Sequence, residues 1–223
     1  MISAVIFDFD GVIVDSERLH WQAFNMVMKP RGKEISWDDY VNVYIGFDDR
    51  DAFRRTFPGI SASELDQLIA EKAGLFQTLV QHSGADPLPG SVELINHLSG
   101  RLPVAICSGA RKTDIEPVLR KLGIADAFDV IVTSEDTHVS KPDPAPYRKA
   151  WEILSRKFPA LTTPAQAVAI EDTPAGIQSA QGAGLRTLAV TNSYPPELLV
   201  TFADAVTNSL EGLTLEELNR VIA

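Results

Sequence analysis

The chain has 223 residues, of which 45 % are hydrophobic and 22 % charged, and it carries a formal net charge of −10. That length and balance suit one large globular domain, or one domain with a smaller insert, whose core needs no disulfide. The acidic charge argues against a nucleic-acid or anionic-membrane partner, although a local cationic pocket still accepts a small anion. No apolar run approaches the ~20 residues of a membrane span, and no secretory leader is expected at the N-terminus. The single cysteine, Cys107, has no internal partner, which suits a reducing cytoplasm.

In chain order, residues 4–7 (Ala-Val-Ile-Phe) form a short apolar run that leads straight into Asp8-Phe9-Asp10-Gly11. Two carboxylates one residue apart at the end of a buried strand repel, unless a cation lies between them or one keeps its proton. From about residue 16 to 83 no strand pattern occurs. Leu19, Ala23, Met26 and Val27 fall at helical spacing, as do Leu65, Leu68, Ile69, Lys72 and Phe76. The expected organisation is a small helical domain over 16–85, inserted after the first strand, with 1–15 and 86–223 forming an α/β core. The alternative is that these helices simply cover the sheet.

Asp86-Pro87-Leu88-Pro89-Gly90 reads as a linker. After it come a helix over Ser91–Leu98, a strand over Val104–Cys107, a helix over Thr113–Leu122 stopped by Gly123, strands over Val130–Val132, Ala167–Ile170 and Thr187–Val190, and a final helix over Leu213–Ile222. Short apolar strands alternating with helices predict a doubly wound parallel α/β sheet, with its ligand beyond the carboxyl ends of the strands. Trp21, Phe24 and Trp151 are expected in the core rather than stacked on a substrate. Cys107, at the end of an apolar strand with no adjacent base, is expected to pack rather than react.

The residues just past the strand ends carry the chemistry. Asp8 and Asp10 come after the first strand, Ser108-Gly109-Ala110 after the second, a loop with Ser140-Lys141-Pro142 after the third, and Glu171-Asp172-Thr173-Pro174-Ala175-Gly176 after the fourth. In a parallel sheet these points share one edge. Several carboxylates with hard oxygen ligands suit Mg²⁺, and a hydroxyl and a lysine suit phosphate oxygens. Taken singly, Ser108 reads equally as a helix-capping turn residue, Lys141 as a solvated loop lysine, and Glu171-Asp172 as acids that complement a helix dipole.

Asp8-Phe9-Asp10-Gly11-Val12 resembles the DxDGx(T/V) signature of the haloacid-dehalogenase-like superfamily, and Ser108, Lys141 and Glu171-Asp172 stand in the order of its remaining motifs. Asp15-Ser16-Glu17-Arg18-Leu19-His20 and Glu171–Ile177 are similar to the β-phosphoglucomutase-like branch, and the helical insert matches that branch's small cap. The resemblance implies a phosphoryl-transfer enzyme. Asp8 would be the nucleophile, Mg²⁺ would be held by Asp8, the Asp10 carbonyl, Asp172 and Glu171 (directly or through water), and the Asp10 side chain would be the acid–base group. Nearby negative charge is expected to favour the protonated form of Asp10. Ser108, Gly109 and Lys141 would bind the phosphoryl group. In the cap, His20, Gly46, Arg50 and Lys72 would face the substrate, Arg50 one position later than the equivalent arginine of the mutases, and Arg111 of the core would reach a distal group.

The leading expectation is a Mg²⁺-dependent phosphatase of a small phosphorylated metabolite, a sugar phosphate above all, acting as a monomer or weak homodimer. The alternative is a mutase that passes the phosphoryl group to a second sugar hydroxyl. A receiver that stores a phosphoaspartate also uses an aspartate, a hydroxyl, a lysine and Mg²⁺, but it lacks the cap and the built-in Asp10.

Overall fold

The computed structural model describes residues 1–45 and 47–222. The elements in order are β1 (Ala4–Phe7), β2 (Val14–Asp15), α1 (Glu17–Met28), α2 (Trp37–Asp39), α3 (Asp49–Thr56), α4 (Ala62–Ser83), β3 (Asp86–Pro87), α5 (Ser91–Leu98), β4 (Val104–Cys107), α6 (Lys112–Leu122), β5 (Val130–Val132), α7 (Ala145–Lys157), β6 (Ala167–Glu171), α8 (Pro174–Gly182), β7 (Arg186–Val190), α9 (Pro196–Leu199), β8 (Ala205–Thr207) and α10 (Leu215–Val221). Every strand of the expected core is present at or within one residue of its expected bounds. The last strand, β8, was not foreseen. Its three residues are only half-buried, so it lacks the continuous apolar run that marks a strand covered on both faces.

The main sheet has the order β5-β4-β1-β6-β7-β8, and all its pairings are parallel. Alternate residues of each strand enter two cores. Val5 and Phe7 pack with Leu94, Ile95, Leu98, Ile115 and Val118 of α5 and α6, while Ala4 and Ile6 pack with Tyr147, Ala150, Trp151 and Leu154 of α7. The chain runs outward from β1 to β4 and β5, then returns to β6 on the other side of β1. That reversal leaves a crevice at the carboxyl end of β1, where such sheets bind ligands. Register fixes what meets there: Phe7 lies opposite Ile170 and Ile106, so Asp8 stands beside Glu171 and one residue short of Ser108.

The helices between β2 and β3 build a separate apolar cluster of Phe24, Val27, Met28, Ile35, Tyr40, Ala52, Phe53, Leu65 and Leu68. Helix α4 starts from a capping box in which Ser61 and Glu64 satisfy each other's backbone N–H groups. The expected linker is more ordered than its proline content suggests: Val14 pairs with Pro87 and Asp15 with Asp86, so the two crossings between core and cap form one antiparallel ribbon. Phe24 and Trp151 are buried as expected. Trp21 is half-buried at the edge of the cap cluster, where its indole N–H donates to the Ile35 carbonyl at 2.8 Å.

Candidate active site

The turn after β1 is tight. Gly11 has φ +78°, and a Cβ there would stand 1.9 Å from Asp172 Oδ2, so both backbone conformation and space demand glycine. This close approach lets the loop carrying Asp8 and Asp10 fold against the end of β6. A Cβ at Gly176 would stand 2.0 Å from the Glu171 carboxylate, so the start of α8 is equally constrained.

Asp8, Lys141 and Glu171 form a buried chain of charges. The Lys141 ammonium lies 2.9 Å from Asp8 Oδ1 and 2.6 Å from Glu171 Oε1, and it donates to the Cys107 carbonyl at 3.0 Å. Glu171 is fully buried with both oxygens engaged. Tyr147 OH also donates to Oε1, at 2.7 Å, and Oε2 accepts from the Asp172 N–H at 3.2 Å and the Thr173 hydroxyl at 3.3 Å. Asp172 accepts from the Ser193 hydroxyl through Oδ2, while its buried Oδ1 has no partner among the described residues.

One oxygen each of Asp8, Glu171 and Asp172 lies within 4.8 Å of the other two. Three carboxylates against one ammonium leave two negative charges uncompensated when all are ionised. The proton balance registers this. Burial, and then Glu171, push the Asp8 carboxyl up to about 8 against the opposing pull of Lys141. Burial, Glu171 and Asp8 raise Asp172 well above the carboxylate range. An orphaned buried oxygen, clustered hard donors and a two-charge deficit all fit a divalent cation.

Asp10 behaves otherwise. Its Oδ1 accepts from the Ser16 hydroxyl and lies 3.1 Å from His20 Nε2. His20 Nδ1 lies 2.7 Å from the Lys72 ammonium, which also contacts Asp49 Oδ1 at 2.8 Å. Burial alone would raise the Asp10 pKa, but His20 and Ser16 outweigh it and hold the carboxyl below its usual range. The expected sign is therefore reversed, because cap donors rather than the other acids are the nearest neighbours of this side chain.

The cavity between cap and sheet edge is lined by Asp8, Asp10, Ser108, Gly109 and Lys141 from the core and His20, Arg50 and Lys72 from the cap. Ser108 Oγ accepts from the Ala110 N–H at 2.9 Å, the capping-turn role available to it from sequence. Arg50 pairs with Asp48 at 3.0 Å and donates across the interface to the carbonyls of Ser134 and Thr137 at 3.2 and 3.3 Å. Arg111 is not brought to this cavity. It pairs with Glu135 at 3.0 Å, because the turn after β4 directs it toward the loop after β5. Gly46 lies outside the described residues. Cys107 is buried, and burial pushes its thiol up, out of reach of thiolate chemistry.

Glu17, Tyr40, Asp48, Asp49 and Asp114 also line the cavity, and sequence reasoning named none of the five as a site residue, although Asp48 and Asp49 directly precede Arg50 and Glu17 lies in the Asp15–His20 motif. Their only other visible signals were helix-start acids and an aromatic at a core spacing, which are features of many structural helices.

Comparison with known proteins agrees with this geometry. The family model described as haloacid dehalogenase-like hydrolase matches residues 5–190. Validoxylamine A 7'-phosphate phosphatase of Streptomyces hygroscopicus subsp. limoneus is 28 % identical over 89 % of this chain and 90 % of its own length. Beta-phosphoglucomutase of Bacillus subtilis is 29 % identical over 98 % of this chain and 94 % of its own. The crystal structure of CbbY from Rhodobacter sphaeroides in complex with phosphate superposes with a TM-score of 0.84 and 25 % identity, covering 98 % of this chain and 100 % of that one. With the motif order, the parallel sheet and the helical cap in agreement, the chain belongs to the haloacid dehalogenase-like hydrolases, as an enzyme of that family.

Proposed function

We propose that this enzyme is a Mg²⁺-dependent phosphatase that hydrolyses a small phosphorylated metabolite, a sugar phosphate, through a phosphoaspartate on Asp8. The observation that carries this reading is the pairing of Asp8 with Lys141 at 2.9 Å, inside a carboxylate cluster two charges short of neutral and beside an Asp10 whose carboxylate bonds to Ser16 and His20 instead. Asp8, Asp172, the Asp10 carbonyl and Glu171, directly or through water, would hold the ion. When bound, it lowers the repulsion between carboxylate and phosphate and orients the phosphoryl oxygens.

Each of the chain's own groups then has a role. Asp8 attacks phosphorus as the bond to the alcohol oxygen breaks. Lys141 neutralises charge on Asp8 and the transferring group, and Glu171 holds Lys141 in place. Ser108 and Gly109 flank the phosphoryl oxygens. Asp10 gives to the leaving oxygen the proton it took from the hydrolytic water of the preceding turnover. The resulting carboxylate, the form that His20 and Ser16 favour, then takes a proton from the water that cleaves the acyl phosphate. Residues 16–85 act as the cap that shields these steps, with the crossings at 14–18 and 82–88 as hinges.

Phosphate release from a panel of phosphorylated metabolites, with and without Mg²⁺, tests the reading. Asp8→Asn should abolish turnover. Asp10→Asn should reduce it by about 10²- to 10⁴-fold while metal binding persists. Turnover of Asp10→Asn within a few-fold of the parent would sink the acid–base assignment. A second reading, a sugar-phosphate mutase, is favoured by the His20–Asp10 contact from the cap and by the Bacillus subtilis relative. Accumulation of an isomeric sugar phosphate without net phosphate release would select it. For either enzyme, the single buried Cys107 suits a reducing cytoplasm. No described helix is long and apolar enough to cross a membrane.

A further inference from the structure

The cap side of the cavity is poor in available positive charge. Among the described residues, Lys72 is buried and already paired with Asp49 at 2.8 Å, and Arg50 is paired with Asp48 at 3.0 Å. Facing them from the core is Asp114, in the first turn of α6. It is 3 % exposed, it lines the cavity, and its Oδ1 is buried with no hydrogen-bond partner among the described residues. A buried acceptor with no partner is costly unless something donates to it, and here it belongs to a residue that lines the ligand cavity. The carboxylate lies within the electrostatic reach of Lys72, His20, Asp49 and Asp10, so whatever meets it sits beside the catalytic groups.

The part of the substrate that does not react therefore meets no uncompensated cation of the cap: Asp48 and Asp49 balance Arg50 and Lys72, and Glu17 and Asp114 line the same cavity without an ion-pair partner among the described residues. A second phosphate or a carboxylate there meets like charge. A hydroxyl meets an acceptor. We propose that Asp114 is a specificity-determining residue that accepts a hydrogen bond from a hydroxyl of the substrate's non-reacting part, so that the cavity takes the monophosphate of a polyhydroxylated compound and rejects a bisphosphate or a phosphorylated carboxylate. This assignment rests on the phosphatase reading above, and it also bears against the mutase, whose chemistry needs a bisphosphate to dwell in the same cavity.

Matched substrates test it. The values of kcat/KM are measured for fructose 6-phosphate against fructose 1,6-bisphosphate, and for glycerol 3-phosphate against 3-phosphoglycerate, with p-nitrophenyl phosphate as a reference that has no distal hydroxyl. The parent should favour the first member of each pair by about ten-fold or more. In Asp114→Ala the ratio of fructose 6-phosphate to p-nitrophenyl phosphate should fall by about ten- to a hundred-fold. Asp114→Asn, which keeps an acceptor oxygen of the same size, should lose less of that ratio and should gain relative turnover on the bisphosphate. A parent that prefers the doubly anionic partners, or an Asp114→Ala ratio within about two-fold of the parent's, overturns the assignment while p-nitrophenyl phosphate hydrolysis keeps the phosphatase reading intact. No phosphate release by the parent from any compound, p-nitrophenyl phosphate included, overturns both.

Discussion

Asp8 and Asp10 are separated by one residue, yet the protein treats them oppositely. Asp8 is buried beside Glu171 and is pushed up to about 8, while Asp10 turns to His20 and Ser16, which outweigh its burial and pull it down. Without metal this order favours an ionised Asp10 beside a protonated Asp8, and a divalent cation held by the cluster would restore the ionised Asp8 that a nucleophile needs. The raised Asp8 value has a consequence for stability. In the unfolded chain the group ionises near its ordinary value of 3.8, whereas in the folded protein it resists ionisation until about 8. Its contribution is complete below the unfolded value and is lost as pH rises through the folded one. Without metal, Asp8→Asn should therefore melt above the parent near pH 8, by at least about 2 °C, and the gap should close toward pH 5. Thermal melts in EDTA across that range check it. A gap that widens on acidification would contradict the burial of Asp8 among like charges.

At the level of elements, the site is completed by contacts between α3 and the loop after β5. Arg50 reaches the carbonyls of Ser134 and Thr137, and the Ser140 hydroxyl donates to Asp51. With the β2–β3 ribbon as the chain connection, these bonds decide how readily the cap closes over the sheet edge. Truncating Arg50 to alanine should lower kcat/KM by about three- to ten-fold. The melting temperature should barely move, since the side chain is partly exposed and lies outside the cap's apolar cluster. Steady-state kinetics beside a thermal melt separates the two effects. A large fall in melting temperature would make Arg50 a structural strut rather than a closure contact.

For the whole molecule, the net charge of −10 opposes the approach of an anionic substrate, while the attraction of Lys141 is confined to the cavity. Raising ionic strength from about 0.01 to 0.15 M shortens the screening length from about 30 to 8 Å, which suppresses the distant repulsion and leaves the contact pairs intact. At saturating Mg²⁺, kcat/KM should rise modestly over that range. A steady fall would mean that the local cations dominate the approach.

The sheet, its strand ends and Asp8, Asp10, Ser108, Lys141 and Asp172 were legible without coordinates. Each sits just past a short apolar run or in the loop it opens, and a parallel sheet carries all such positions to one edge. The helical character of 16–85 was legible too, because helix periodicity is a local property. His20, Arg50 and Lys72 of the cap were expected to face the substrate from the family resemblance and do line the cavity; tertiary structure alone brought Glu17, Tyr40, Asp48 and Asp49 there, and decided that Arg111 turns away to Glu135, that cap donors reverse the proton balance of Asp10, and that Asp114 is left with an unpartnered acceptor. These outcomes depend on the angles at which helices cross and on the ribbon that sets cap against core. Contacts between residues far apart in the chain determine those angles, and no spacing within one segment records them.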